Sequence, residues 1–154
     1  MSSDFNEILS IFNANQVRYL IIGGHAVSEY AEPRYTKDLD IWVEPSEQNA
    51  DLVFQSLKQF GAPLFELSPS DFAEKGSFYQ MGRPPVRIDI LMSIEGLVFK
   101  KAWENRNMVP LFGETVPLIS LDDLMAAKKS AGRPQDLIDV ENLILAKSLR
   151  ENHR

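Results

Sequence analysis

Asp38-Leu39-Asp40-Ile41-Trp42-Val43 is the stretch from which the rest of the chain can be read. Aspartate is disfavoured in strands, so two of them in alternate positions of an apolar strand demand an explanation. Side chains at i and i+2 of a strand share a face. Asp38 and Asp40 therefore aim at one point, while Leu39 and Ile41 point into the core. A second apolar strand, Val86-Arg87-Ile88-Asp89-Ile90-Leu91, carries a third acid in an equivalent place. Three convergent carboxylates repel one another unless something positive sits between them. A divalent metal is the usual answer, and phosphoryl or nucleotidyl transfer is the usual work of such a site. Zinc would prefer His or Cys ligands, and the chain offers only His25 and His153. The oxygen-only donor set suits Mg2+, which keeps several waters and shares substrate phosphates.

Composition bounds the reading. The 154 residues suit a single domain with a real core, and 44% apolar with 25% charged residues is ordinary for a globular protein. No apolar run approaches the length of a membrane span, and Met1-Ser2-Ser3-Asp4 does not read as a secretory signal. Cysteine is absent, which excludes disulfides and thiolate metal sites and is compatible with the cytoplasm, the expected location. The net charge of −6 argues against sequence-blind binding to nucleic acid. Basic residues nevertheless gather at Arg34 and Lys37 and again at Lys128, Lys129 and Arg133, which suits a local anion site.

Working outward from the acidic pair, residues 4–15 read as an amphipathic helix with Phe5, Ile8, Leu9 and Phe12 at helical spacing. Residues 17–22 read as a strand that Gly23-Gly24 ends, and residues 25–31 as a short helix closed by Pro33. Pro45-Ser46 starts a helix that Gly61 stops. Residues 70–75 suggest a helical turn, 77–81 a strand, and Pro84-Pro85 delivers the chain to the strand of Asp89. A helix over 95–105 follows, then a hairpin of 109–112 and 115–119 across Gly113-Glu114. Ser120, with Asp123 three residues on, caps a helix to Ala131. Gly132-Arg133-Pro134 breaks it and opens a last helix to about residue 149. Strands alternating with helices imply an α/β (α+β) fold, a mixed β-sheet flanked by helices. The chain reads as one domain over 1–154, with helices of 120–149 packing on the core.

A strand, two glycines and a helix N-terminus present unpaired backbone N–H groups to an anion, which the helix dipole also favours. With the acids, this spacing matches a known pattern. Gly23-Gly24-His25-Ala26, Arg34-Tyr35-Thr36-Lys37-Asp38-Leu39-Asp40 and Arg87-Ile88-Asp89-Ile90-Leu91 resemble the nucleotidyltransferase superfamily that includes DNA polymerase beta. More narrowly they look like small bacterial nucleotidyltransferase-like proteins, akin to AbiEii-type toxins and to aminoglycoside and lincosamide nucleotidyltransferases. Leu121 to Lys128 and Ala131-Gly132-Arg133-Pro134-Gln135-Asp136 are also similar to that group. The resemblance spans residues 17 to 145 and implies the nucleotidyltransferase-like fold.

By that resemblance Asp38 and Asp40 hold the metal that binds a nucleoside triphosphate, and Asp89 helps hold a second metal and accepts the proton of the attacking hydroxyl. Gly23 and Gly24 cradle the β and γ phosphates. Many relatives carry Gly-Ser at this turn, where Gly24 stands here. Arg34 either clamps phosphate or pairs with a carboxylate to order the loop, the second being the reading we favour. Thr36 braces the turn. Lys37 is a phosphate contact or a solvated charge. Arg87 shares a face with Asp89 and can neutralise the acids when no metal is bound. Lys128 is the best late candidate for a triphosphate contact. His25 is read as packed at a helix start and bonded to backbone, Trp103 as packed with Phe99, and Asp136 and Asp139 as a solvated face paired with Arg133 or neighbouring lysines.

Two functions follow. One is a Mg2+-dependent enzyme that moves a nucleoside monophosphate from an NTP such as ATP to a hydroxyl of a small molecule, a tRNA end or a protein, with a toxin–antitoxin or defence system as its setting. The other is a degenerate domain that only binds or regulates, with a protein partner. Fold alone does not choose between them.

Overall fold

The central strand of the sheet is buried from end to end, and everything that positions the acids is built out from it. The computed structural model describes residues 3–82 and 86–152. In chain order the elements are α1 (Ser3–Ala14), β1 (Tyr19–Ile22), α2 (Gly23–Tyr30), β2 (Asp38–Val43) and α3 (Glu47–Phe60). A 3-10 turn (Pro69–Ala73), β3 (Phe78–Met81), β4 (Arg87–Leu91) and α4 (Phe99–Glu104) follow. The chain ends in β5 (Asn107–Leu111), β6 (Glu114–Leu118), α5 (Leu121–Ala131) and α6 (Pro134–Asn152). The strands form one mixed sheet in the order β3-β4-β2-β1-β6-β5. β1 pairs antiparallel with β2 and parallel with β6, while β2 and β4 run parallel. The expected mixed sheet flanked by helices is the fold found. Pro84-Pro85 lies outside the described residues.

Strand alternation divides the two faces. Leu39 and Ile41 of β2 and Ile88 and Ile90 of β4 are buried in the core with Ile8, Leu9 and Phe12 of α1 and Val53 and Leu57 of α3. Asp38 and Asp40 share the opposite face with Trp42. Trp42 is sealed on that face by Phe99, whose ring meets it edge-on at 5.1 Å. The acid-bearing face is therefore closed at one end and open at the other. Among the described residues no helix is long and apolar enough to cross a membrane.

Several boundaries move for local reasons. Gly23 and Gly24 do not precede α2 but form its first turn. The hairpin turns over Phe112-Gly113 rather than Gly113-Glu114, because Leu111 pairs with Glu114. Both turn residues are left-handed, at φ +50° and +81°, as a two-residue hairpin requires. Phe112 accepts that conformation while packing edge-on to Phe5 at 5.1 Å and receiving a hydrogen bond from Asn6 on its carbonyl. α4 is shorter than the 95–105 expected, since a turn from Ile94 to Leu97 delays it. Ser120 caps α5 as read, accepting the Asp123 N–H at 3.2 Å.

The largest departure is in α6. Asp136 and Asp139 are not a solvated face: they are 1% and 0% exposed. They share the inward side of the helix with Val140 and Leu143. Asp139 accepts two hydrogen bonds from the Arg34 guanidinium, at 3.2 and 3.1 Å, one from Gln135 and an ion pair from Lys128 at 3.0 Å. Asp136 takes Lys128 at 3.3 Å, the Arg133 side chain at 2.6 Å and the Arg133 backbone N–H. Three cations and two carboxylates thus fasten α5 and α6 to the loop before β2. Burial pushes both carboxyls up, but hydrogen bonds outweigh it and hold both below the usual carboxylate range. Arg133 and Lys128 act on Asp136; Lys128, Gln135 and Arg34 act on Asp139.

Ile41→Ala is expected to cost about 2–5 kcal/mol, read as a lower urea midpoint at unchanged slope. The network adds a pH dependence. Carboxyls with depressed folded-state pKa values bind fewer protons folded than unfolded, so their contribution is complete above the unfolded value, near about 4, and is lost as pH falls through the folded values. The urea midpoint should fall as the pH is lowered through this range. Asp139→Asn should be less stable by about 3–5 kcal/mol at neutral pH, because it strands buried cations, and should show a shallower acid decline.

Candidate active site

The parallel register of β2 and β4 sets Asp40 beside Asp89 and Asp38 beside Arg87. Neighbouring strands lie about 4.8 Å apart, so the three carboxylates converge as the sequence pattern requires. Burial, then the neighbouring Asp89 and Asp38 carboxylates, push the Asp40 pKa up to about 7 against the opposing pull of Lys128. Arg87 lies across the outer two acids. Its Nε donates to Asp89 Oδ1 at 3.1 Å and its Nη2 to Asp38 Oδ2 at 3.3 Å. It neutralises the cluster in the way its shared face with Asp89 suggested. Among the described residues no group of three or more His, Asp or Glu side chains is placed so as to hold a metal ion. The donor chemistry still fits a hard divalent ion: all three donors are carboxylates, and the high Asp40 pKa marks a centre short of positive charge.

The glycines keep backbone open beside the acids. Gly23 has φ +71°, and a Cβ there would run into the Asp40 carboxylate. A Cβ on Gly24 would lie 2.8 Å from Thr36 Oγ1 and 3.3 Å from Arg34 Nη2. The serine of many relatives has no room at this position, because Thr36 and Arg34 fill it. Thr36 also donates to the Asp38 carbonyl at 3.4 Å, the bracing role expected of it.

A cavity of about 440 Å3 opens over the acids. Gly23, Asp38, Asp40, Asp89 and Lys128 all line it. Gly24, Arg34, Thr36 and Lys37 do not: Arg34 is spent on Asp139, and Lys37 is exposed on the wall of a second cavity with Phe5, His25 and Phe112. His25 packs edge-on against Phe5 and Phe112 at 5.9 and 5.1 Å, and its buried Nε2 has no partner, so the expected backbone bond is not made there. Burial, then Arg34, lowers its pKa against Asp38. Trp103 stacks on Phe99 under the Arg106 guanidinium and does not line the cavity. Arg133, Phe78 and Gln80 line it too, as does Asp136, which was not foreseen there. The readable signal for Asp136 was its spacing with Asp139, Val140 and Leu143, which places it on the buried stripe of α6.

The fold has solved counterparts. The lincosamide antibiotic adenylyltransferase LnuA, bound to lincomycin, superposes with a TM-score of 0.60 at 19% identity, over 93% of this chain and 96% of that one. The antibiotic-resistance factor ANT(2'')-Ia gives 0.61 at 15% identity, over 96% and 83%. An antigenic nucleotidyltransferase-like protein from Paracoccidioides brasiliensis gives 0.55 at 17% identity, over 95% and 75%. A search of curated proteins finds no match to the sequence. Residues 2–153 match the family model described as "Nucleotidyltransferase of unknown function (DUF6036)". The geometry of the three acids and this match over nearly the whole length agree, and the chain belongs to that nucleotidyltransferase family.

Proposed function

We propose that this protein is a Mg2+-dependent enzyme that moves a nucleoside monophosphate from a nucleoside triphosphate to a hydroxyl acceptor. The observation that carries the reading is the meeting, in one cavity, of three carboxylates with a glycine-opened helix start and a buried lysine. Family membership and the adenylyltransferases among the solved neighbours support nucleotidyl transfer in general.

Asp38 and Asp40 are the residues that would hold the ion carrying the triphosphate, and Asp89 would help hold a second. When bound, such ions polarise the phosphoryl oxygens and offset the charge of the leaving group. Arg87 then has to release Asp38 and Asp89, which it bridges without them. Gly23, which lines the cavity at the start of α2, is the residue that would bring backbone N–H close to the triphosphate. Lys128, in a network with more cations than carboxylates, adds positive charge at that end. The acceptor oxygen bonds to the α-phosphorus as the bond to the bridging oxygen breaks and pyrophosphate departs. Asp89 takes the hydroxyl proton. The small-molecule, tRNA and protein acceptors remain distinct outcomes of the assay, as does a toxin–antitoxin setting.

Labelled NTPs, Mg2+ and cell extract should yield a labelled acceptor with the wild type. Asp38→Ala should lower transfer by at least about a hundredfold, the order expected when a charge-stabilising group is removed, with unchanged circular dichroism. Full transfer by that variant would remove the assignment. Gly23→Ala should weaken ATP binding in calorimetry, since the added methyl meets Asp40. A wild type that binds neither ATP nor Mg2+ would leave the binding-module reading in place of the enzyme.

A further inference from the structure

We propose that the acceptor lies against Phe78 and is an uncharged hydroxyl compound that presents a flat or apolar ring face. This rests on the nucleotidyl-transfer reading above. Nucleotidyl transfer is an in-line displacement, so the attacking hydroxyl enters opposite the departing pyrophosphate. Here the phosphate end is fixed by Gly23, at the end of β1, and by Lys128. The acids stand on the next two strands, β2 and β4. The strand beyond them is β3, at the sheet edge, roughly 14 Å from β1 at three strand spacings. The acceptor must therefore come from the β3 side.

That side has a defined chemistry. Phe78 is paired with Leu91 and Gln80 with Asp89, so Phe78, Gln80, Asp89 and Leu91 share the cavity face. Phe78 is 64% exposed although it lines a cavity. An aromatic ring left in water on a concave wall is a surface waiting for a ligand, and rings stack on it offset or edge-on. Ile94 extends the apolar shelf, while Ser77, Gln80 and Ser93 supply uncharged hydrogen-bonding groups. None of these six residues carries charge. Among the described residues that line this side the one carboxylate is Asp89, which Arg87 already engages and which the reaction uses. A polycation finds no counter-charge among these six, and Arg87 on the same face of β4 repels it.

The test uses the full chain with Mg2+ and α,β-methylene-ATP, whose transfer bond cannot break. Calorimetry and saturation-transfer NMR follow two probes, p-nitrophenyl β-D-glucopyranoside as the neutral ring-bearing alcohol and 2-deoxystreptamine as the polycation. The glucoside should bind the wild type and the polycation should not. Phe78→Ala should weaken the glucoside about tenfold, the usual order for loss of a stacking platform. Phe78→Trp should keep it, and both variants should bind the ATP analogue as the wild type does. Thermal unfolding should be unchanged, since the ring is exposed. The inference is overturned if the glucoside fails to bind, if Phe78→Ala does not weaken it, or if the polycation binds as well. It is also overturned if Phe78→Ala weakens the ATP analogue instead, which would make the ring a nucleobase platform. Failure of the wild type to bind the analogue at all would overturn the nucleotidyl-transfer reading itself.

Discussion

Repulsion among Asp38, Asp40 and Asp89 is the constraint around which the rest of the molecule is arranged. β2 and β4 cannot relieve it, because their other face is locked into the core by Leu39, Ile41, Ile88 and Ile90. Any slip of register by one residue would bury the carboxylates and expose those apolar side chains. The acids are therefore held together by the hydrophobic effect against their own electrostatics. The protein answers with Arg87 across the outer pair and Lys128 above Asp40. Both answers are incomplete, as the raised pKa of Asp40 records.

The second layer of the design is the buried ion network. Lys128 is delivered to the cavity by α5 but aimed by Asp136 and Asp139 of α6. Arg34 ties Asp139 to the loop that leads into β2. A lysine alone could swing into solvent; one held by two buried carboxylates has a fixed place. The fixed place costs desolvation, and the many hydrogen bonds on each carboxylate offset it.

Much of this was legible in the sequence, for reasons of range. The faces of β2 and β4 follow from a period of two, and the caps at Ser46 and Ser120 from side chains acting three residues away. These are local rules, and local rules survive folding. The hairpin turn moved by one residue because Phe112 packs with Phe5 and His25, a contact spanning most of the chain. The pairing of Asp136 and Asp139 with Arg133 and Lys128 follows from short spacing, but their burial does not, because acids on a helix ordinarily face water and Arg34, which also holds Asp139, stands 105 residues from it. Arg34, Thr36 and Lys37 cluster beside the acids in sequence but turn outward or toward α6. Phe78 carried no signal, since an aromatic in an alternating strand reads as core until the sheet edge is known.

The length of that Arg34–Asp139 link has a consequence for the order of events in the chain's own synthesis. The strands that bear the acids emerge before α5 and α6 exist. Until the last helix docks, Arg34 and Lys128 lack the carboxylates that hold them, and the α5 side of the cavity has no fixed cation. The cavity is thus complete only once the last helix of the chain is in place.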